Sequence, residues 1–198
     1  MKTIQINVGG FDNNFSYLII GENNSGILID PTGDKEKILS VLKSNKIKLI
    51  LQLITHAHPD HVELVKYFSE QGIKLKQFSQ LLEKPVFEIM GLKIKTIFTP
   101  GHTKDSVCYL IENNLFTGDT LFVRGIGTTA YGGNPIEQKK SLELLSTLNP
   151  VIIVWPGHDY GGNSSSLGEA LANSNIRPSK KTFEELRKKI SDYESKLD

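Results

Sequence analysis

Leu49-Ile50-Leu51-Gln52-Leu53-Ile54 is an apolar run of strand length, and Thr55-His56-Ala57-His58-Pro59-Asp60-His61 follows it without a break. Three imidazoles and a carboxylate within six residues have no packing rationale, because each is costly to bury unpaired. A divalent metal accounts for them, since neutral imidazole and carboxylate are ligands that Zn²⁺ and Fe²⁺ accept. His56 and His58 stand two apart, so in extended backbone they point to one side. Asp60 and His61 follow where the chain is expected to turn into a helix, aimed at a second metal position.

On the N-terminal side of this stretch the pattern predicts three strands: Ile4 to Val8, Phe15 to Ile20, and one ending over Gly26 to Asp30. Asn23-Asn24-Ser25-Gly26 is the hairpin signal between the last two, and Asp30-Pro31 closes the third. Asp34 then reads as the N-cap of a helix with Ile38, Val41 and Leu42 on one face. On the C-terminal side, Leu64, Val65 and Phe68 mark a helix that stops at Gln71-Gly72. Ile73 to Met90 holds a short strand and the Lys84-Pro85 turn, and Leu92 to Phe98 alternates as a strand leading to Thr99-Pro100-Gly101-His102-Thr103. Ser106 to Glu112 and Leu115 to Thr117 form a hairpin over Asn113-Asn114 that delivers Gly118-Asp119.

Gln138 to Leu148 predicts a helix with Leu142, Leu145 and Leu148 inward. The apolar run Val151 to Trp155 reads as a buried strand ahead of Pro156-Gly157-His158-Asp159-Tyr160. Leu167 to Asn173 makes a short helix, and Thr182-Phe183-Glu184-Glu185 is a capping box for a last helix over about 182–197. That helix either packs on its own sheet or serves a subunit contact. All five histidines of the chain fall just beyond strand ends, so several ends converge on one edge and form a site.

The bulk numbers agree with one globular domain over residues 1–198: 38% hydrophobic, 23% charged and a formal net charge of +1. That balance argues against nucleic acid or a membrane surface as partner. Met1 to Val8 alternates like a strand and forms no apolar targeting core, and the lone Cys108 sits in a core-like strand. A cytoplasmic location is the expectation.

Two metals ask for about seven protein ligands, and the sequence supplies them. One position can take His56, His58 and His102, the other Asp60, His61 and His158, with Asp119 bridging or else serving as a turn aspartate. The carboxylates Asp60 and Asp119 are the candidate catalytic residues. Two divalent ions lower the pKa of a shared water towards neutrality and polarise a carbonyl oxygen. Zn²⁺ is expected, and the same donors also accept Fe or Mn.

Thr55 to His61, Gly101-His102-Thr103, Gly118-Asp119 and Pro156-Gly157-His158 together resemble the metal motifs of the metallo-β-lactamase-fold superfamily, in order, over roughly residues 10 to 178. The resemblance implies an α/β (α+β) fold: a four-layer αββα sandwich with the site along one edge of its sheets. Two branches are similar. The glyoxalase II-like branch hydrolyses thioesters with two metals. The persulfide dioxygenase branch, similar through Leu121 to Gly127 and His158 to Gly161, uses one Fe²⁺ on the equivalents of His56, His102 and Asp119, with O₂ and a low-molecular-weight persulfide.

Both branches usually carry Arg where Thr128 stands and often Asp at Ala130, so the resemblance implies a lost anion contact and puts glutathione in question. Tyr131 and Tyr160 are candidate pocket residues or packing residues, and Arg124 either contacts substrate or pairs at a strand end. The first reading is a metal-dependent hydrolase of a thioester or related small acyl compound, monomeric or a homodimer. The dioxygenase is the alternative.

Overall fold

The computed structural model describes residues 1–10 and 12–174, so the helix expected over about 182–197 lies outside the described residues. The first sheet holds β1 (Lys2–Gly9), β2 (Asn14–Ile20), β3 (Ser25–Ile29), β4 (Lys48–Leu53) and β5 (Lys74–Leu75) in that spatial order. The second holds β6 (Val86–Ile89), β7 (Leu92–Phe98), β8 (Val107–Ile111), β9 (Asn114–Gly118), β10 (Ile153–Pro156) and β11 (Ser165–Ser166), ordered β11-β10-β9-β8-β7-β6. Both sheets are mixed: β4 runs parallel to β3, and β10 parallel to β9.

Strand alternation builds the layers. Tyr17, Ile19, Ile27 and Ile29 face the second sheet, where they meet Val107, Tyr109, Ile111 and Phe116 in a shared inner core. The intervening Leu18 and Leu28 face outward and are covered by Ile38 of α1 (Lys35–Ser44), with α2 (Pro59–Val62) beyond the end of β4 and Phe68 of α3 (Val65–Glu70) alongside. On the other side Cys108 and Leu115 are covered by Leu142 and Leu145, and by Leu167 and Leu171. Each such fully buried side chain stabilises the fold by about 1.5–3 kcal/mol. The result is the αββα sandwich that the motifs implied. Burial pushes the Cys108 thiol up to about 12, as befits a core residue.

Several elements depart from the expected boundaries. The stretch Ile73 to Met90, expected to hold one short strand, forms two, β5 and β6, with α4 (Phe78–Glu83) and its Gln77/Gln80 capping box between them. The helix expected from Gln138 is α5 (Pro135–Leu145): Asn134 accepts from the backbone N–H groups of Ile136 and Glu137, and Pro135 occupies the first turn, so the helix starts earlier and ends before Leu148. The apolar run Val151 to Trp155 is a strand only from Ile153. Val151 is 62% exposed, ahead of the strand on the turn that follows Asn149. The last described helix, α6 (Leu167–Asn173), begins with the Ser166/Glu169 capping box. Among the described residues no helix is long and apolar enough to cross a membrane.

Candidate metal centre

The carboxyl ends of β3, β4, β7, β9 and β10 lie on one edge of the sandwich. β7 and β9 are each antiparallel to β8 and therefore run the same way, and β10 follows β9. Past β4, Pro59 holds His58 in extended backbone at the N-cap of α2, and the His61 N–H then donates to the His58 carbonyl at 3.0 Å. One turn thus aims His58 and His61 in different directions from a common base. Beyond β9 and β10, glycines let the loops close on the site. Gly118 has φ +48°, and a Cβ there would lie 2.3 Å from Thr55 Oγ1. A Cβ on Gly157 would lie 2.4 Å from Asp119 Oδ1.

All seven candidate ligands meet here. The donor atoms of His56, His58 and His102 lie within 4.8 Å of one another, as do those of Asp60, His61 and His158, and those of His56, His61 and Asp119. His58 Nδ1 and His102 Nε2 are 3.0 Å apart, and His61 Nε2 and His158 Nε2 are 3.3 Å apart. The Asp119 carboxylate sits between the two groups, with Oδ1 3.3 Å from His61 Nε2 and Oδ2 3.6 Å from His102 Nε2 and 3.2 Å from His158 Nε2. Tetrahedral ligation at about 2.0–2.1 Å places imidazole nitrogens about 3.3–3.4 Å apart, so these spacings suit nitrogens that share an ion.

The outward ring nitrogens fix the inward ones. His102 Nδ1 donates to the Thr128 carbonyl at 2.7 Å, and His158 Nδ1 to the Asp12 carbonyl at 2.8 Å, which leaves Nε2 of each as a lone-pair donor facing the site. Asp30 anchors the rest. Its Oδ1 accepts the Thr55 backbone N–H at 2.7 Å, and its Oδ2 accepts from Thr55 Oγ1 at 2.7 Å and from His61 Nδ1 at 3.1 Å. Thr55 Oγ1 in turn receives His56 Nδ1 at 3.1 Å. The sequence reading treated Asp30 only as the end of a strand. In the fold it is 1% exposed and orients two histidines, one directly and one through Thr55. Asn14 was also missed: its side-chain N–H groups donate to the Asp60 carbonyl at 2.9 Å and to Asp60 Oδ2 at 3.2 Å.

Two atoms in this cluster are buried with no hydrogen-bond partner, His56 Nε2 and Asp119 Oδ1. Leaving such groups unsatisfied costs about 1–3 kcal/mol each, and an ion among them removes that cost. The donor set therefore fits divalent metal. Its charges are arranged to match: burial first, then its histidine neighbours, hold His56 well below the usual imidazole range, as a neutral donor. Burial also disfavours charge on His61, but Asp119 and Asp30 on either side outweigh it and raise its pKa to about 10. Burial opposes ionisation of Asp119 too, yet the His158 and His61 imidazoles beside it keep it well below the usual carboxylate range. Without metal, protons take the place of ions on the second group.

The centre opens into a cleft of about 840 Å³, bounded beyond the ligands by Asp12, Thr32, Glu63, Thr128, Tyr131 and Tyr160. Tyr131 is 78% exposed at its rim. Tyr160 stacks on the His158 ring at 5.4 Å, packs edge-on against Phe122 at 4.7 Å, and donates its hydroxyl to the Asp12 carboxylate. It thus both packs and lines the cleft. Arg124 does not line it: its backbone N–H donates to the Tyr160 carbonyl at 2.9 Å, and its stem lies against Gly161.

The sequence matches the metallo-beta-lactamase superfamily model over residues 9–76 and 78–158. It is 33% identical over 181 residues to the "Probable polyketide biosynthesis zinc-dependent hydrolase BaeB" of Bacillus velezensis, covering 82% of this chain and 80% of that protein. It is 31% identical over 196 residues to the hydroxyacylglutathione hydrolase of Photobacterium profundum, covering 93% of this chain and 76% of that one. Among solved structures it is similar to ETHE1 from Myxococcus xanthus, with a TM-score of 0.80 and 28% identity over 92% of this chain and 88% of that chain.

Proposed function

The chain belongs to the metallo-β-lactamase superfamily and is a metal-dependent hydrolase of that fold; from this premise we propose that it cleaves a thioester or related small acyl compound in the manner of glyoxalase II. The observation that carries the reading is the paired arrangement of donors. Two three-residue groups share one interposed carboxylate, with orphaned His56 Nε2 and Asp119 Oδ1 at their junction. Two divalent ions, zinc foremost, are the occupants proposed, on His56, His58 and His102 and on Asp60, His61 and His158, with Asp119 common to both. When bound, such ions acidify a water so that it is nucleophilic at neutral pH and polarise an acyl oxygen.

The chain's own residues then have defined tasks. Asp30, through Thr55 and His61, holds the rings in the orientation that keeps Nε2 inward. Asn14 fixes the Asp60 carboxylate from outside the cleft. Tyr131 and Tyr160 offer apolar surface beside the reacting carbonyl. In the reaction a carbon–oxygen bond to water forms and the carbon–sulfur bond breaks, giving a carboxylate, a thiol and one proton at neutral pH. A thiolate departs without being protonated first, so the cleft needs no acid aimed at the sulfur. The same reading keeps the 198 residues as one cytoplasmic domain, a monomer or homodimer with a small-molecule substrate and neither nucleic acid nor membrane as partner.

Elemental analysis of anaerobically purified protein, with thioester hydrolysis and O₂ uptake on glutathione persulfide measured in parallel, tests it. About two metals per chain, hydrolysis and no O₂ uptake is the expected result. One iron per chain with O₂ uptake would replace the hydrolase by the mononuclear iron dioxygenase on His56, His102 and Asp119. Asp119→Asn should lower metal content and activity together, and full values of both would refute its role as the common ligand.

A further inference from the structure

The cleft carries an unusual balance of charge. Its described lining includes the carboxylates of Asp12, Asp60, Glu63 and Asp119 but neither lysine nor arginine. Asp60 and Asp119 point at histidine nitrogens and would be met by the ions. Asp12 and Glu63 line the cleft outside the ligand groups. Asp12 accepts only the Tyr160 hydroxyl on its carboxylate, Glu63 accepts the Gly33 backbone N–H at 3.3 Å, and neither makes an ion pair among the described residues.

Thr128 adds no charge. Its carbonyl is committed to His102, and its hydroxyl turns back to accept the Ala130 N–H at 3.2 Å. The remaining contacts on offer are the rings of Tyr131 and Tyr160 and the hydroxyl of Thr32. Positive charge is thus concentrated at the reacting end, while the approach to it is acidic and partly aromatic. Aromatic faces and carboxylates together receive cations or neutral groups, and they repel a carboxylate brought alongside.

We propose that this cleft selects acyl thioesters whose thiol carrier is uncharged or cationic and disfavours carriers bearing carboxylates, glutathione included, with Glu63 and Asp12 setting the preference. The inference rests on the hydrolase reading above and specifies its substrate class. Glu63 is exposed and its side chain has one backbone contact, so its replacement leaves the fold and the metal ligands untouched.

The test uses one acyl group on three thiols: thiocholine (cationic), N-acetylcysteamine (neutral) and 3-mercaptopropionate (anionic). Intrinsic thioester reactivity cancels when the cation-to-anion ratio of kcat/KM is compared between wild type and variant. An exposed charge of this kind is worth about a 1.5- to 5-fold change, so Glu63→Gln should lower the ratio by that factor and Glu63→Lys by more. The preference should also weaken as salt is raised from low to high ionic strength. An unchanged ratio in Glu63→Lys, or faster wild-type turnover of the anionic and glutathione thioesters than of the neutral one, would overturn the inference and leave the hydrolase reading standing. If no thioester is turned over, the hydrolase reading fails. Calorimetric binding of the three free thiols to the metal-loaded protein then decides the preference alone: the same order, compressed by Glu63→Lys, supports it, and equal affinities reject it.

Discussion

Replacing Asp30 by Asn tests whether the outer hydrogen bonds govern the metal centre. Asp30 has φ +52°, a conformation that Asn tolerates, so the change adds little backbone strain. The amide oxygen can still accept the Thr55 backbone N–H, now made at 2.7 Å to Oδ1. At the Oδ2 position, however, an NH₂ group would face His61 Nδ1, and two donors cannot share one proton. The ring must either give up that contact or move its proton to Nε2, which removes the lone pair aimed at Asp60, Asp119 and His158.

Losing a hydrogen bond to a buried charged group costs about 1.5–3 kcal/mol, and a donor left unsatisfied adds about 1–3 kcal/mol. Loss of such an outer-shell partner typically weakens metal binding 10- to 100-fold. The expected result is therefore a variant that folds with a lower denaturation midpoint and loses metal first at His61, which contacts Asp30 directly, and less readily at His56, which Asp30 reaches only through Thr55. Elemental analysis after dialysis against a graded series of chelator concentrations reads the affinity, and urea unfolding of the stripped protein reads the stability. Wild-type retention of metal together with an unchanged midpoint would refute the role given to Asp30.

Gly157→Ala places a methyl 2.4 Å from Asp119 Oδ1 and 2.7 Å from His61 Cε1, so it should displace the shared carboxylate, costing about 1–3 kcal/mol and much of the metal; unfolding curves and metal analysis check both. Because metal-free His61 titrates at about 10, loading at pH 7–8 should release a proton from it, and metal affinity should rise with pH up to about 10; calorimetry in buffers of different ionisation enthalpy measures the release. The sign for stability is opposite. A pKa raised in the folded state stabilises fully below the unfolded value of about 6.5 and fades as pH climbs through about 10, so the stripped protein should melt at lower temperature at pH 10 than at pH 7. Leu142→Ala removes a side chain 1% exposed between α5 and the second sheet and should destabilise by about 2–5 kcal/mol without changing metal stoichiometry.

What could be read from the chain was mostly local. His56 to His61 declares itself within six residues, and the alternation of Leu92 to Phe98 coincides with β7 end to end. The helix over Leu167 to Asn173 was legible for the same reason. Failures came where the deciding signal was short or distant. Phe78 to Glu83 gives too few turns for a 3.6-residue period to stand out, and the continuous apolar run at Val151 carries no mark of where pairing begins. The start of α5 was available in Asn134-Pro135, a cap followed by a first-turn proline, and went unused. Asp30 is different in kind: its partners Thr55 and His61 lie 25 and 31 residues away, and only the register of β3 beside β4 makes them neighbours. Arg124 was open from sequence between a substrate contact and a strand-end ion pair, because the direction of its side chain depends on how the loop packs at Gly161.

The ligands divide unevenly between the sheets. His56, His58, Asp60 and His61 come from one loop of the first sheet, while His102, Asp119 and His158 arrive singly from three strand ends of the second. Each sheet is built from a contiguous stretch of chain, residues 2–75 and 86–166. An ion on these donors is consequently a rivet across the seam between two separately assembled halves, closing chain loops from 44 residues (His58 to His102) to 98 residues (Asp60 to His158). Tight occupancy then reports that the halves have docked in register, and stripping the metal should loosen the seam before it melts either sheet.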